Sequence, residues 1–268
     1  MSWWQAIILG LVQGLTEFLP VSSSGHLTIG REILGIQAEG DLSFEVIVHA
    51  ATVLATIVVF WKPIVGMVKG FFRFKNNDET DYLLKIAVSM IPILVVGLFF
   101  KDYIEELFSS IAVVGGCLLL TSVLLGLSDF AEKSFARKGE PARNGISYKQ
   151  AFIVGLGQAF AVLPGLSRSG TTIATGLICG VRRDVMAQFS FLMVLVPILG
   201  ESFLSMVGGD FAASTVGALP LLLGFLSAFL SGLFACKVMI ALVRKAKLRW
   251  FALYCAIVGA VVLVYALV

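Results

Sequence analysis

Two polar stretches interrupt an otherwise apolar chain, and both carry residues that handle charge. In the first, Gln13 and Glu17 stand four residues apart, on one face of a helix, and Pro20-Val21-Ser22-Ser23-Ser24-Gly25-His26 follows. That turn gathers three hydroxyls and an imidazole. The second is Pro164-Gly165-Leu166-Ser167-Arg168-Ser169-Gly170-Thr171-Thr172. A planar guanidinium grips phosphate through two parallel bonds, and the backbone N–H groups that open a helix bind anions. A carboxylate inside an apolar run costs roughly 3 kcal/mol on insertion scales unless it faces a cavity, so Glu17 reads as a site residue. Each has a plainer alternative. Gln13 and Glu17 can glue helices together, Ser22 and Ser24 can simply cap a helix, and Arg168 can anchor a cytoplasmic end, a role that Arg182 and Arg183 fit better. His49, Glu45 and Glu201 are open between structural and functional roles.

The two stretches are copies. Residues 5–25 and 150–170 align without a gap at an offset of 145, with Gln5, Ala6, Ile8, Gly10, Leu11, Gln13, Ser22, Ser24 and Gly25 matched by identical residues. One copy carries Glu17 and His26 and the other carries Arg168, which predicts one site assembled from two halves.

Composition sets the frame that must position them. Of the 268 residues, 58% are hydrophobic and 14% charged, where soluble domains carry about 25% charge; mean hydropathy is +0.96. The expectation is an all-α polytopic membrane protein. A net charge of +3 does not suggest nucleic acid. The four cysteines, Cys117, Cys179, Cys236 and Cys255, show no zinc or disulfide spacing, and no Walker, dinucleotide or HExxH motif occurs. Six runs are long enough to span, at 44–61, 83–100, 111–128, 186–208, 217–242 and 250–268. The segments at 3–19 and 150–163 are shorter, end at Pro20 and Pro164, and lead through their turns into a second short apolar piece. They read as re-entrant helical hairpins, the broken segments that mark a binding site in duplicated membrane folds.

Loop charge orients the spans. Lys62, Lys69, Arg73 and Lys75 place the loop 62–75 in the cytoplasm; Lys101 against Asp102, Glu105 and Glu106 places 101–110 outside; Lys133, Arg137, Lys138, Arg143 and Lys149 place 129–149 inside. Arg182 and Arg183 are inside, the Asp210 loop outside, and Arg244, Lys245, Lys247 and Arg249 inside. Three spans separate the repeats, so the expected fold is an inverted-topology repeat: residues 1–128 and 150–268, each a hairpin plus three spans, joined by the polar cytoplasmic linker 129–149, with both termini outside.

The two stretches also resemble a known family. Gln13-Gly-Leu-Thr-Glu17 with Phe-Leu-Pro-Val-Ser-Ser-Ser-Gly-His26 resembles the (E/Q)xxxE motif and adjoining turn of the undecaprenyl-diphosphatases, the bacitracin-resistance membrane phosphatases of bacteria, and Pro164 to Thr172 resembles their PGxSRSxxT motif. The likeness runs nearly the whole chain. It implies hydrolysis of undecaprenyl diphosphate to undecaprenyl phosphate and inorganic phosphate with a divalent cation, Mg²⁺ or Ca²⁺, recycling the lipid carrier of peptidoglycan synthesis. By this likeness Glu17, Ser23, His26 and Arg168 are catalytic, Gln13, Ser22, Ser24, Ser167, Ser169, Gly170 and Thr172 bind substrate, and Glu17 holds the metal. Ser23 is the expected nucleophile, with Glu17 or His26 as base; direct attack by water is the alternative. The expected partners are a polyprenyl diphosphate lipid, the bacterial plasma membrane, with the site opening to its outer side, and a second copy in a homodimer. A transporter or flippase of the lipid phosphate is the rival from another class, and a membrane scaffold a third.

Overall fold

A computed structural model describes residues 1–36, 42–100, 103, 104, 107, 110–134, 142–208, 216–245 and 247–267. The Asp210 loop, the acidic residues of loop 101–110, residues 135–141 of the linker and the side chain of Glu201 lie outside the described residues. The described chain is helical, with no strand among the described residues.

The first repeat opens with α1 (Trp3–Phe18) and α2 (Ser23–Ile33). Ser2 and Gln5 form a capping box that starts α1, and Leu19 turns extended (φ −73°, ψ 143°) before Pro20, as a residue preceding proline must. Next come α3 (Leu42–Val59), α4 (Trp61–Phe71), α5 (Asp78–Phe99) and α6 (Ile111–Ser134). After a short turn at Arg143–Gly145, the second repeat has α7 (Tyr148–Phe160), α8 (Arg168–Ile178), α9 (Arg183–Met193), α10 (Leu195–Gly208), α11 (Ala218–Lys245) and α12 (Arg249–Leu267). At 11 to 16 residues, α1, α2, α7 and α8 are too short to cross a bilayer at 1.5 Å per residue. Among the described residues, α5, α6, α9 with α10, α11 and α12 are long and apolar enough, and α3 with α4 makes a sixth candidate. The break between α9 and α10 falls at Val194, where Pro197 cannot donate to the Met193 carbonyl.

One expectation is corrected. Residues 62–75 are not a simple loop, because α4 occupies most of them, turned 78° from α3. Its apolar side chains recur at helical spacing between Lys62 and Lys69, and loop charge reports which side of the membrane a segment occupies, not its conformation.

The repeat seen in sequence is also a repeat of bonds. Ser147 and Gln150 rebuild the capping box of Ser2 and Gln5 at the start of α7. Gln5 Nε2 donates to the Leu34 carbonyl at 3.2 Å, and Gln150 Nε2 to the equivalent Cys179 carbonyl at 2.8 Å. Each hairpin is thereby laced from its entrance to its exit. Each lies against the long helix of the other half: α1 on α11, and α7 on α5. Gly10 and Gly14 bring α1 onto Gly224, Ser227, Ala228 and Ser231, while Gly155 brings α7 onto Ser89. In a bilayer such close contact of small residues replaces the hydrophobic effect as the source of attraction. The hairpin tips touch one another as well. Ser169 Oγ donates to the Leu19 carbonyl at 3.2 Å, and a Cβ on Gly25 would lie 3.0 Å from Gly165 Cα.

Candidate active site

Where the tips meet, three helix ends converge. Glu17 sits in the last turn of α1, Ser23 is the first residue of α2, and Arg168 is the first residue of α8. Ser23 and Arg168 occupy the same position of the two repeats. Each follows a serine that caps its helix: Ser22 Oγ accepts from Gly25 N–H at 3.2 Å, and Ser167 Oγ from Gly170 N–H at 3.1 Å. Two helix N-termini therefore open on one small cavity, lined by Thr16, Glu17, Ser22, Ser23, Ser24, His49, Ser167, Arg168 and Ser169, with Ala161 and Leu166. Positive dipole ends, a guanidinium and hydroxyls make this an anion-binding space.

Inside it, Glu17 is the hub. Its Oε2 accepts from Ser23 Oγ at 2.5 Å and from Gln13 Nε2 at 2.9 Å, and His49 Nε2 lies 3.7 Å away. The carboxylate is 11% exposed. A serine hydroxyl hydrogen-bonded to a largely buried carboxylate has the geometry of a nucleophile beside its base. His49, left open by the sequence, belongs to the site: its Nδ1 donates to the Glu45 carbonyl at 2.8 Å, which turns Nε2 toward Glu17, and Glu45 itself pairs with Arg31 at 2.7 Å. Arg168 Nη1 and Gln13 Oε1 are among the buried polar atoms that have no hydrogen-bond partner in the described residues. A donor and an acceptor so left are costly unless a ligand meets them.

Behind Glu17 and Arg168 a second small cavity shares Glu17, Arg168 and Ser169 with the first, but its wall changes character, with Phe18, Val53, Phe191, Val194, Leu195 and Ile198 beside Thr172 and Ser190. Thr172 Oγ1 and Ser190 Oγ are 2.6 Å apart.

The remaining expected residues fall at different distances from this centre. Ser24 lines the first cavity, and Ser169 both. Ser167 is buried, and its N–H donates to Thr121 Oγ1 at 3.0 Å. Gly170 lines neither cavity; it lets Pro20 approach, 3.2 Å from where its Cβ would stand. His26 lines neither cavity either: its ring binds the Ser22 carbonyl and the Tyr254 hydroxyl. Thr121 and Tyr254 lie in long, mostly apolar helices and belong to no motif that sequence alone singles out. His49 had a sequence signal, as the other of only two histidines.

The match to known proteins is consistent over the chain. Residues 6–261 fit the family model described as Bacitracin resistance protein BacA. The chain belongs to the BacA family. It is 54% identical over 268 residues to a protein named undecaprenyl-diphosphatase from Bacteroides thetaiotaomicron, covering 98% of this chain and 99% of that one. It is 54% identical over 265 residues to one of the same name from Parabacteroides distasonis, covering 97% of each. A third of that name, from Methanosphaera stadtmanae, is 37% identical over 278 residues, covering 98% of each. As a BacA-family chain with five or six candidate spans, it is a multi-pass membrane protein. Both polar turns, the Glu17 hub and Arg168 fall within the stretch matched to the BacA model.

Proposed function

We propose that the chain hydrolyses undecaprenyl diphosphate to undecaprenyl phosphate and inorganic phosphate. The observation that carries this is Ser23 Oγ held 2.5 Å from the Glu17 carboxylate in a cavity that Arg168 also lines. The names of relatives above 50% identity over the whole chain support a diphosphatase over a transporter. The change from a polar to an apolar wall suits an amphiphile, with the diphosphate at the turns and the prenyl chain leading away past Phe191 and Leu195.

In this reading Ser23 Oγ attacks the terminal phosphorus while Glu17 takes its proton. The bond from that phosphorus to the bridging oxygen breaks, and undecaprenyl phosphate leaves. Glu17 passes that proton to the departing undecaprenyl phosphate, then takes one from an attacking water and returns it to Ser23 Oγ as inorganic phosphate is released. Arg168 and the N–H groups that open α2 and α8 hold the phosphate oxygens and balance their charge. Among the described residues no three His, Cys, Asp or Glu side chains group to cage a metal. Glu17 and the unpartnered Gln13 Oε1 nonetheless fit a hard cation that takes its other oxygens from the substrate. Bound there, Mg²⁺ or Ca²⁺ would neutralise charge on the diphosphate. Loop charge supports an inverted repeat in the bacterial plasma membrane with the site open to the outer side. Purified protein in detergent should release phosphate from undecaprenyl diphosphate, and lose that activity with a chelator. Tight binding without phosphate release would sink hydrolysis in favour of transport.

A further inference from the structure

Ser22, the residue before the proposed nucleophile, has φ 71° and ψ 98°, a backbone conformation that side chains other than glycine's disfavour. Such a conformation persists only where its surroundings impose it. The cap does not impose it. Ser167 makes the same bond to its glycine from an ordinary φ of −67°. The two turns differ two residues before the cap, where the second has Gly165 at φ 87° and the first Pro20, and four residues after it, where the first has His26 and the second Thr171. Thr171 gives the Ser167 carbonyl its backbone N–H, at 2.8 Å. His26 gives the Ser22 carbonyl two hydrogens, from its backbone N–H at 3.1 Å and from ring Nδ1 at 2.7 Å. A carbonyl only accepts, so Nδ1 carries the hydrogen, and Nε2 of the neutral ring is left as an acceptor. Tyr254 supplies that donor: its hydroxyl lies 2.8 Å from Nε2, and the two rings stack at 5.6 Å and 11°. It reaches across from α12, the last helix of the chain.

We infer that Tyr254 is a positioning residue for the reaction: with His26 it clamps the Ser22 carbonyl, holds the turn in its disfavoured conformation, and so presents Ser23 Oγ to Glu17. The inference rests on Ser23 being the nucleophile. Tyr254→Phe keeps the stacked ring and removes only the hydroxyl. It should lower kcat roughly tenfold, the size of effect an orienting partner has on an imidazole, and leave KM within about twofold, because Arg168 is untouched. His26→Ala should cost at least as much, and the double variant no more than His26→Ala alone, since both act through one carbonyl. Glycine adopts positive φ freely, so in a Ser22→Gly background the Tyr254 hydroxyl should cease to matter. Nitrogen-15 spectra of histidine-labelled protein, with the His26 signals assigned through His26→Ala, should show the Nδ1–H tautomer fixed in the parent and averaged in Tyr254→Phe. Unchanged kcat in Tyr254→Phe, a double variant whose losses multiply, or a tautomer indifferent to Tyr254 would each overturn the clamp. A parent protein that releases no phosphate, or a Ser23→Ala that keeps its rate, would instead overturn the nucleophile reading, and the spectra would still judge the clamp.

Discussion

Ser23, Glu17 and Arg168 each make one contact or one charge that a single substitution removes cleanly. Ser23→Ala deletes the proposed nucleophile and leaves Arg168 in place, so turnover should fall to near background while substrate still binds. Rapid quench with ³²P-labelled substrate and mapping of residues 17–31 checks this, and a substantial rate with no trappable phosphoserine would hand the attack to water. Glu17→Gln keeps an acceptor for Ser23 and loses the base, so phosphate release should drop by 10² or more, at roughly the scale of general base catalysis. Because Glu17 is a buried charge, the same variant should melt no lower than the parent, and a joint loss of activity and melting temperature would mean that Glu17 only holds helices together. Arg168→Lys gives up the two-pronged grip and should lose most activity. Arg182 is 77% exposed and paired with Asp184 at 2.6 Å, so Arg182→Lys should be close to silent. Equal losses at 168 and 182 would remove Arg168 from phosphate binding. At this scale sequence reasoning reached the charged centre, because a carboxylate and a guanidinium in apolar surroundings demand a reason. It could not see that His26 faces Tyr254 while His49 faces Glu17, since those pairs, distant in sequence, meet only through the packing of α12 and α3.

The elements owe their positions to small residues at crossings. A Cβ on Gly155 would meet the Ser89 backbone of α5, whereas one on Gly66 of α4 would meet nothing within 4 Å. Gly155→Ala should therefore destabilise the protein by about 1–3 kcal/mol through overpacking. Gly66→Ala should stabilise it slightly, by about 0.5–1 kcal/mol of helix propensity. Paired melting curves decide this, and a neutral Gly155→Ala would mean that α7 is free to back away from α5. The end of α1 was legible because a proline wrote it, at Leu19 before Pro20, whereas the capping boxes of Ser2 with Gln5 and Ser147 with Gln150 came to light only in the structure. The turn from α3 into α4 was not legible either, because residues 59–61, Val-Phe-Trp, carry no breaker, and their apolar run reads as one span.

For the molecule as a whole, the orientation inferred from loop charge has a direct check. Cysteines placed at 62–75 and 101–110 should label from opposite sides of the membrane, and labelling of both from one side would dismantle the inverted arrangement. The duplication itself was readable because the two copies keep the same caps and glycines, and their hydrogen bonds recur at the same offset. What differs between them has a consequence for how such a site can be built. Ser23 and Arg168 stand at one and the same position of the repeat unit. A symmetric pair of identical half-length chains would have to put the same residue in both places, two serines or two arginines, and could never set an attacking hydroxyl against a phosphate-gripping guanidinium. The asymmetry at this position therefore requires two distinct halves, which a single chain carrying both copies supplies.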